Sequence, residues 1–256
     1  MSMNFVCIKW GDKYSPEYVN NLYRMVERNY TKPFTFTCYT DEPEGLECDT
    51  HPIPDEDGFL HPKHWFGTEK YCWDRAKFLV FNSQEWLGYT GKWCYFDLDI
   101  IIQNNIDDIE ELALKPRLIH TRWQPSWQKH ERLFKEMRGT YYNSSVMCWS
   151  DEQCVGIYYD VVQYNEMVFT TFYKGSDNYH FWRQQKFWSN LPYDWVYSYN
   201  RGVHHPQDLV KFKYREPFKI CIFNTDLTPD PATKQQIKLD KLKDKRLLKL
   251  WKGQCE

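Results

Sequence analysis

Residues 93–102 read Trp-Cys-Tyr-Phe-Asp-Leu-Asp-Ile-Ile-Ile, an apolar run broken only by Asp97 and Asp99. Such a run, opened by Gly91-Lys92 and rich in aromatic and β-branched residues, predicts a buried strand. Aspartate is poor in strands and costly to bury as a charge, so something positive must compensate. Residues i and i+2 of a strand point to one side. Asp97 and Asp99 can therefore reach one cation while Leu98 packs into the core. Carboxylate oxygens suit Mg²⁺ or Mn²⁺, which keep positions open for phosphate oxygens. An ion held there neutralises a diphosphate and stabilises it as a leaving group. In open α/β sheets, ligands sit at the carboxyl ends of strands, where this pair lies.

The flanking sequence supplies such a sheet. Residues 5–9 read as a strand, and Ser15-Pro16-Glu17 opens a helix with Ser as N-cap, Pro in the first turn and an acid at the positive end. Val19, Leu22, Tyr23 and Val26 give that helix one apolar face. Residues 34–40 read as a second strand, ending at Asp41. Strand, helix, strand implies a parallel sheet with a crossover helix. Residues 41–68 read as a long loop, residues 70–81, 151–163 and 177–188 as helices, and residues 117–121, 141–149 and 218–223 as strands. A terminal helix is expected over 232–251. The fold class expected is α/β: one domain over 1–231, with a mixed, mostly parallel central sheet flanked by helices, followed by a basic helical tail over 232–256.

Composition narrows the function. Apolar residues at 42% and aromatics at 18% exclude a disordered chain, and twelve Trp with nineteen Tyr suit both a core and a groove for flat ligands. Nine Cys, with no Cys-x-x-Cys pair, argue against a disulfide framework and for a reducing cytoplasm. No signal-like segment and no apolar run near 20 residues occurs, so a soluble cytoplasmic protein of bacterial or phage type is expected. The net charge of −2 names no partner, but it is uneven. Residues 233–252 hold eight of the 33 basic and two of the 35 acidic residues, leaving 25 against 33 elsewhere. That tail reads as a solvated helix face, or as a surface for phosphates. His61 with His64, and His204 with His205, have ligand-like spacing, but Pro62 and the surrounding loop speak against zinc. No Gly-rich phosphate loop is present, which disfavours a nucleotidyltransferase using the same aspartates.

With these residues in hand the chain resembles the GT-A-fold (Rossmann-like) glycosyltransferases, most of all the small bacterial and phage ones distantly related to glycogenin and its galactosyltransferase relatives. Residues 5–23 look like the family's first strand and helix, and WDRAKFLVF like the helix whose basic residues face the donor. GKWCYFDLDIII looks like its Asp-x-Asp element, YYNSSVMCW like the strand bordering the acceptor, and Gly175-Ser176-Asp177 like its Gly-Asp pair. WVYSYN resembles a recurring Ser-Tyr element. The likeness covers roughly residues 4–231, and the order of these loose motifs is its specific part.

The resemblance implies transfer of a hexose or pentose from a UDP- or GDP-sugar to a saccharide or lipid-linked acceptor, with Mn²⁺ or Mg²⁺ as cofactor and retention of configuration. Nucleic acid, such as phage DNA with hydroxymethylated bases, is the less favoured acceptor because the main body is not basic. Donor contacts would come from Lys9, Trp10, Tyr14, Arg75, Lys77 and Asp97, although Lys9 and Trp10 fit equally a strand-end lysine and a core ring. Acceptor contacts would come from Arg122, Trp123, Asn143 and Ser144. Asp99 and Asp177 would be catalytic. Asp177 would stabilise an oxocarbenium-like centre in a retaining enzyme or deprotonate the acceptor in an inverting one. Relatives place a metal-binding His after the last strand. Here Asn224 stands in its position, with Asp226 close by, so metal ligands Asp97 and Asp99 would be joined by Asn224 or Asp226.

Overall fold

A computed structural model describes residues 2–54, 69–121, 131–136, 139–172, 175–202, 212–223 and 239–254. Strands β1 (Met3–Lys9), β2 (Phe34–Thr40), β3 (Asp49–His51), β4 (Lys92–Phe96), β6 (Arg117–His120), β7 (Tyr142–Ser150) and β8 (Ser189–Asn190) form one sheet in the order β3-β2-β1-β4-β7-β6-β8. All pairs are parallel except those of β7, which runs against both β4 and β6. A smaller sheet, β5-β10-β9, joins β5 (Ile100–Ile102), β9 (Val196–Ser198) and β10 (Ile220–Ile222). The mixed, mostly parallel sheet is as expected. Among the described residues no helix is long and apolar enough to cross a membrane.

Helix α1 (Pro16–Asn29) makes the crossover between β1 and β2. Ser15 sits at its N-cap in extended backbone, but the hydroxyl makes no capping hydrogen bond; Pro16 and Glu17 mark the start. Shorter helices follow: α2 (Ser83–Leu87), α3 (Ile109–Leu112), α4 (Glu131–Glu136), α5 (Val155–Gln163), α6 (Asn165–Thr171), α7 (Ser176–Arg183) and α8 (Lys245–Trp251).

Several expectations are corrected. The stretch read as a helix over 70–81 is a 3₁₀ helix, Glu69–Asn82. From Arg75 to Asn82 only Lys77 escapes full burial, so this segment has no polar stripe and lies enclosed between the sheet and the helices above it. The helix read over 177–188 stops at Arg183. The chain then turns so that the Trp188 indole donates to His180 Nδ1 at 3.1 Å. The stretch 151–163 opens as a 3₁₀ turn and becomes α-helical at Val155. The loop over 41–68 contains β3; residues 55–68 lie outside the described residues, as do His61, His64, His204 and His205. Of the terminal helix expected over 232–251, residues 232–238 lie outside the described residues; Leu239–Lys241 is a 3₁₀ turn, and the α-helix at Lys245–Trp251 is capped by Asp244, which accepts from the N–H groups of Arg246 and Leu247.

Two hydrophobic clusters cover the two faces of the large sheet. The first is largely aliphatic: Met3, Phe5 and Cys7 of β1, the inner face of α1, all of β5 and β10, and Leu239, Leu242, Leu247 and Trp251 from the C-terminal segment. The second is largely aromatic: Trp93 and Tyr95 of β4, Phe78 and Phe81, Trp149, Tyr158, Phe169, Tyr179 and Trp188. Alternation along β4 assigns Trp93 and Tyr95 to the second and Cys94 and Phe96 to the first. The end of the stretch read as a basic tail is thus core: Trp251 is fully buried and packs edge-on to Tyr18 of α1, with ring centroids 5.2 Å apart.

Candidate active site

The run at 93–102 is two strands in two sheets. β4 ends at Phe96, and the Asp97 N–H continues its ladder by donating to the Ser145 carbonyl at 2.9 Å. The Asp99 carbonyl accepts from the N–H of Phe223, just beyond β10, at 3.3 Å. Asp97-Leu98-Asp99 is therefore the seam between the sheets, which corrects the single-strand reading. A chain leaving one sheet for another must turn, and polar residues are least costly there. Leu98 is buried in the first cluster, and both carboxylates line one cavity of about 490 Å³.

Four segments build that cavity: Ile8 and the loop Trp10–Tyr14 after β1, Ala76 and Lys77 of the 3₁₀ helix, Tyr95 with the seam, and Asp177 at the start of α7. Asp97 accepts from the Tyr95 hydroxyl at 2.6 Å and from Lys77 Nζ at 2.9 Å. Asp99 accepts from the Tyr14 hydroxyl at 3.1 Å. Burial, and then the negative charge of Asp97, raise the Asp99 carboxyl above its ordinary range; Lys13, Lys77 and the Tyr14 hydrogen bond oppose this. Two crowded carboxylates with oxygen-only donors suit a hard divalent cation, which would relieve the like-charge strain. Among the described residues no group of three or more His, Cys, Asp or Glu side chains converges as a metal cluster. Asn224 and Asp226 lie outside the described residues.

Asp177 is held in place by its neighbours. Gly175, at φ +122°, takes a backbone conformation that side-chain-bearing residues rarely adopt and turns the chain into α7. The Asp177 carboxylate then accepts from the backbone N–H and the hydroxyl of Ser144, both at 2.7 Å, and from the Asn143 amide at 3.5 Å. Lys77 Nζ also donates to Ser144 Oγ at 3.2 Å. Asp97, Lys77, Ser144 and Asp177 thus form one connected row.

The structure brings together Trp10, Tyr14, Lys77, Asp97, Asp99 and Asp177 around the cavity, with Asn143 and Ser144 just behind Asp177. Arg122 and Trp123 lie outside the described residues. Two expected donor contacts are elsewhere. Lys9 is fully buried, and its ammonium is spent on Glu42 at 2.7 Å and on the Gly11 carbonyl at 3.1 Å. Arg75 is buried with its guanidinium 3.8 Å from the Phe169 ring centroid. Alternation explains Lys9: Ile8 faces the cavity, so its strand neighbour points away from it. The basic residue on the cavity side of the 75–77 segment is Lys77, which leaves Arg75 to the aromatic core. Among the lining residues that the sequence candidates did not include are Asp12, Lys13 and Tyr95. Tyr95 stands two positions before Asp97 on the same side of the strand, a signal that was available. Lys13, in the loop after β1, carried none.

No protein-family model matches the chain, and no curated protein matches it in sequence. Solved structures do match. The crystal structure of the galactosyltransferase LgtC in complex with donor and acceptor sugar analogues superposes with a TM-score of 0.60, over 98% of this chain and 95% of that one, at 10% identity. The chain has the GT-A fold. An active-site mutant of LgtC gives a TM-score of 0.58 at 12% identity, over 97% of this chain and 95% of that one. The bifunctional glycosyltransferase WbbM in its apo form gives 0.55 at 10% identity, over 89% of this chain but 46% of its own length. In this GT-A domain the cavity lies at the carboxyl ends of β1 and β4.

Proposed function

We propose that this chain is a glycosyltransferase that moves a sugar from a UDP- or GDP-sugar to a saccharide or lipid-linked acceptor. The observation that carries the reading is the pair of seam carboxylates facing one cavity in a GT-A fold. Asp97 and Asp99 would hold Mn²⁺ or Mg²⁺, which supplies charge neutralisation to the diphosphate leaving group. Tyr95 and Lys77 orient Asp97, and Tyr14 orients Asp99 while offering its ring to the base. Both acceptor positions of Asp177 Oδ1 are filled by Ser144. A carboxylate so tied suits a fixed negative charge beside the sugar's anomeric centre better than a base that must take up a proton, which favours retention. The test is a screen of UDP- and GDP-sugars for slow donor hydrolysis with Mn²⁺ and with excess EDTA. Metal-dependent release of UDP or GDP from at least one donor is expected. No turnover of any donor, with no binding of either nucleoside diphosphate, would sink the reading.

A further inference from the structure

The cavity has a charge problem that its carboxylates make plain. Among the described residues, Asp12, Asp97, Asp99 and Asp177 face it, against Lys13 and Lys77. A diphosphate entering there meets four acids, and Lys77 is already hydrogen-bonded to Asp97 and Ser144. Lys13 differs. It is exposed on the rim, with Nζ 4.7 Å from the centroid of the Tyr14 ring, whose hydroxyl reaches Asp99.

The loop that carries Lys13 is anchored from beneath. Buried Lys9 grips the Gly11 carbonyl and Glu42, and the Gly11 N–H donates to Asp41 at 3.1 Å. Gly11 sits at φ +60°, which suits glycine and lets the chain turn tightly. The backbone under Lys13 is therefore fixed, while its four-carbon stem can swing the ammonium from the ring face. A base stacking on Tyr14 takes over that face and leaves the ammonium beside the phosphates.

We propose that Lys13 is a binding residue for the diphosphate of the nucleotide donor, contacting a phosphate oxygen from the loop after β1. This rests on the donor reading given above. It adds a residue that binds phosphate whether or not a divalent ion is present.

The experiment is calorimetric titration of UDP, GDP and the matching nucleosides into wild type, K13M and K13R, in Mn²⁺ and in EDTA. For the diphosphate that wild type binds, K13M is expected to lose about tenfold or more in affinity, the size of one charge-assisted hydrogen bond. Its nucleoside affinity should stay within about twofold, and K13R should recover most of the diphosphate loss. A melting temperature matching wild type excludes a folding effect, since the residue is exposed. K13M binding the diphosphate as wild type does would overturn the proposal, as would an equal loss for nucleoside and diphosphate. Wild type binding neither UDP nor GDP would instead bring down the donor reading, and this proposal with it.

Discussion

The two faces of the large sheet are packed by different means, and each face serves one of the two aspartates. The aliphatic face draws on α1, the small sheet and the C-terminal helix; Tyr14, which packs against it, donates to Asp99. The aromatic face draws mostly on residues 76–188, with Val6 and Tyr39; Tyr95, which belongs to it, donates to Asp97. The aromatic face also contributes an ion pair, Lys77 with Asp97. Asp99 has a like charge nearby and a raised carboxyl. The same residue type two positions apart is thus a compensated anion in one case and a crowded one in the other. That asymmetry is what a cation would level.

The largest expected effect comes from removing the crowded member. Asp99→Ala should lower donor hydrolysis by about a thousandfold or more, the scale of a lost metal or oxyanion contact. Its metal-free melting temperature should hold or rise, because a buried, desolvated carboxyl and its repulsion from Asp97 are gone. Asp97→Ala should lose activity similarly but melt lower, since Lys77 and Tyr95 each lose a hydrogen bond. Equal melting shifts in the two variants would show that the faces do not differ in this way.

Next in size is the aliphatic face itself. Trp251→Ala should destabilise the protein by about 3–5 kcal/mol, as large-to-small changes at fully buried rings do. Denaturant unfolding measures this, and a loss under about 1 kcal/mol would show that α8 is only laid against the domain. Deleting residues 239–254 removes Leu239, Leu242 and Leu247 as well, so a stable truncated protein would contradict the packing described here.

The aromatic face has its own signature, in pH. His180 is fully buried among Phe78, Phe81, Tyr179 and Trp188, and burial, then the charge of Lys77, push it down to about 3. The unfolded chain binds a proton near 6.5 that the folded chain refuses until about pH 3, so stability falls as pH drops through that window. At pH 5 the loss from this group is about 2 kcal/mol relative to pH 7. His180→Phe should carry a pH-independent cost, because the Trp188 indole loses its acceptor, but a flatter stability profile between pH 7 and 5. Parallel profiles for the two proteins would refute the assignment.

The smallest effect separates the two tyrosines. Tyr95→Phe removes a 2.6 Å bond to Asp97 and Tyr14→Phe a 3.1 Å bond to Asp99. Each should weaken Mn²⁺-dependent nucleotide binding by about fivefold, near 1 kcal/mol, with Tyr95→Phe the larger. The reverse order would place the tighter control on the aliphatic side.

How far the sequence revealed this follows from where the interactions are local. β1, α1 and β2 were legible because alternation, a Pro in the first helical turn and an amphipathic stripe all act within a few residues. Asp97 and Asp99 stood out because a charge in an apolar run is conspicuous. The seam between them was not legible. Nothing within ten residues says that Phe96 pairs with Val146 while Ile100 pairs with Ile222. Lys9 was left open between two readings because a strand-end lysine points to either side, and the deciding partner, Glu42, is 33 positions away. Helix ends failed for the same reason: Trp188 leaves the helical path to reach His180, a contact set by the packed core rather than by propensity.

The chain from Tyr14 to Tyr18 to Trp251 also has a consequence for the order of assembly. Tyr14 and Tyr18 lie 4.9 Å apart between ring centroids, and Tyr18 meets the C-terminal segment across 222 positions, at Asp240. The entropy of closing so long a loop must be met before any of its contacts count. Most of the aromatic core, by contrast, closes within residues 76–188. During refolding the aromatic half should therefore consolidate first. The loop that presents Tyr14 and Lys13 to a nucleotide should be braced last, so that near-ultraviolet dichroism recovers ahead of nucleotide binding, and the protein regains its shape before it regains its grip.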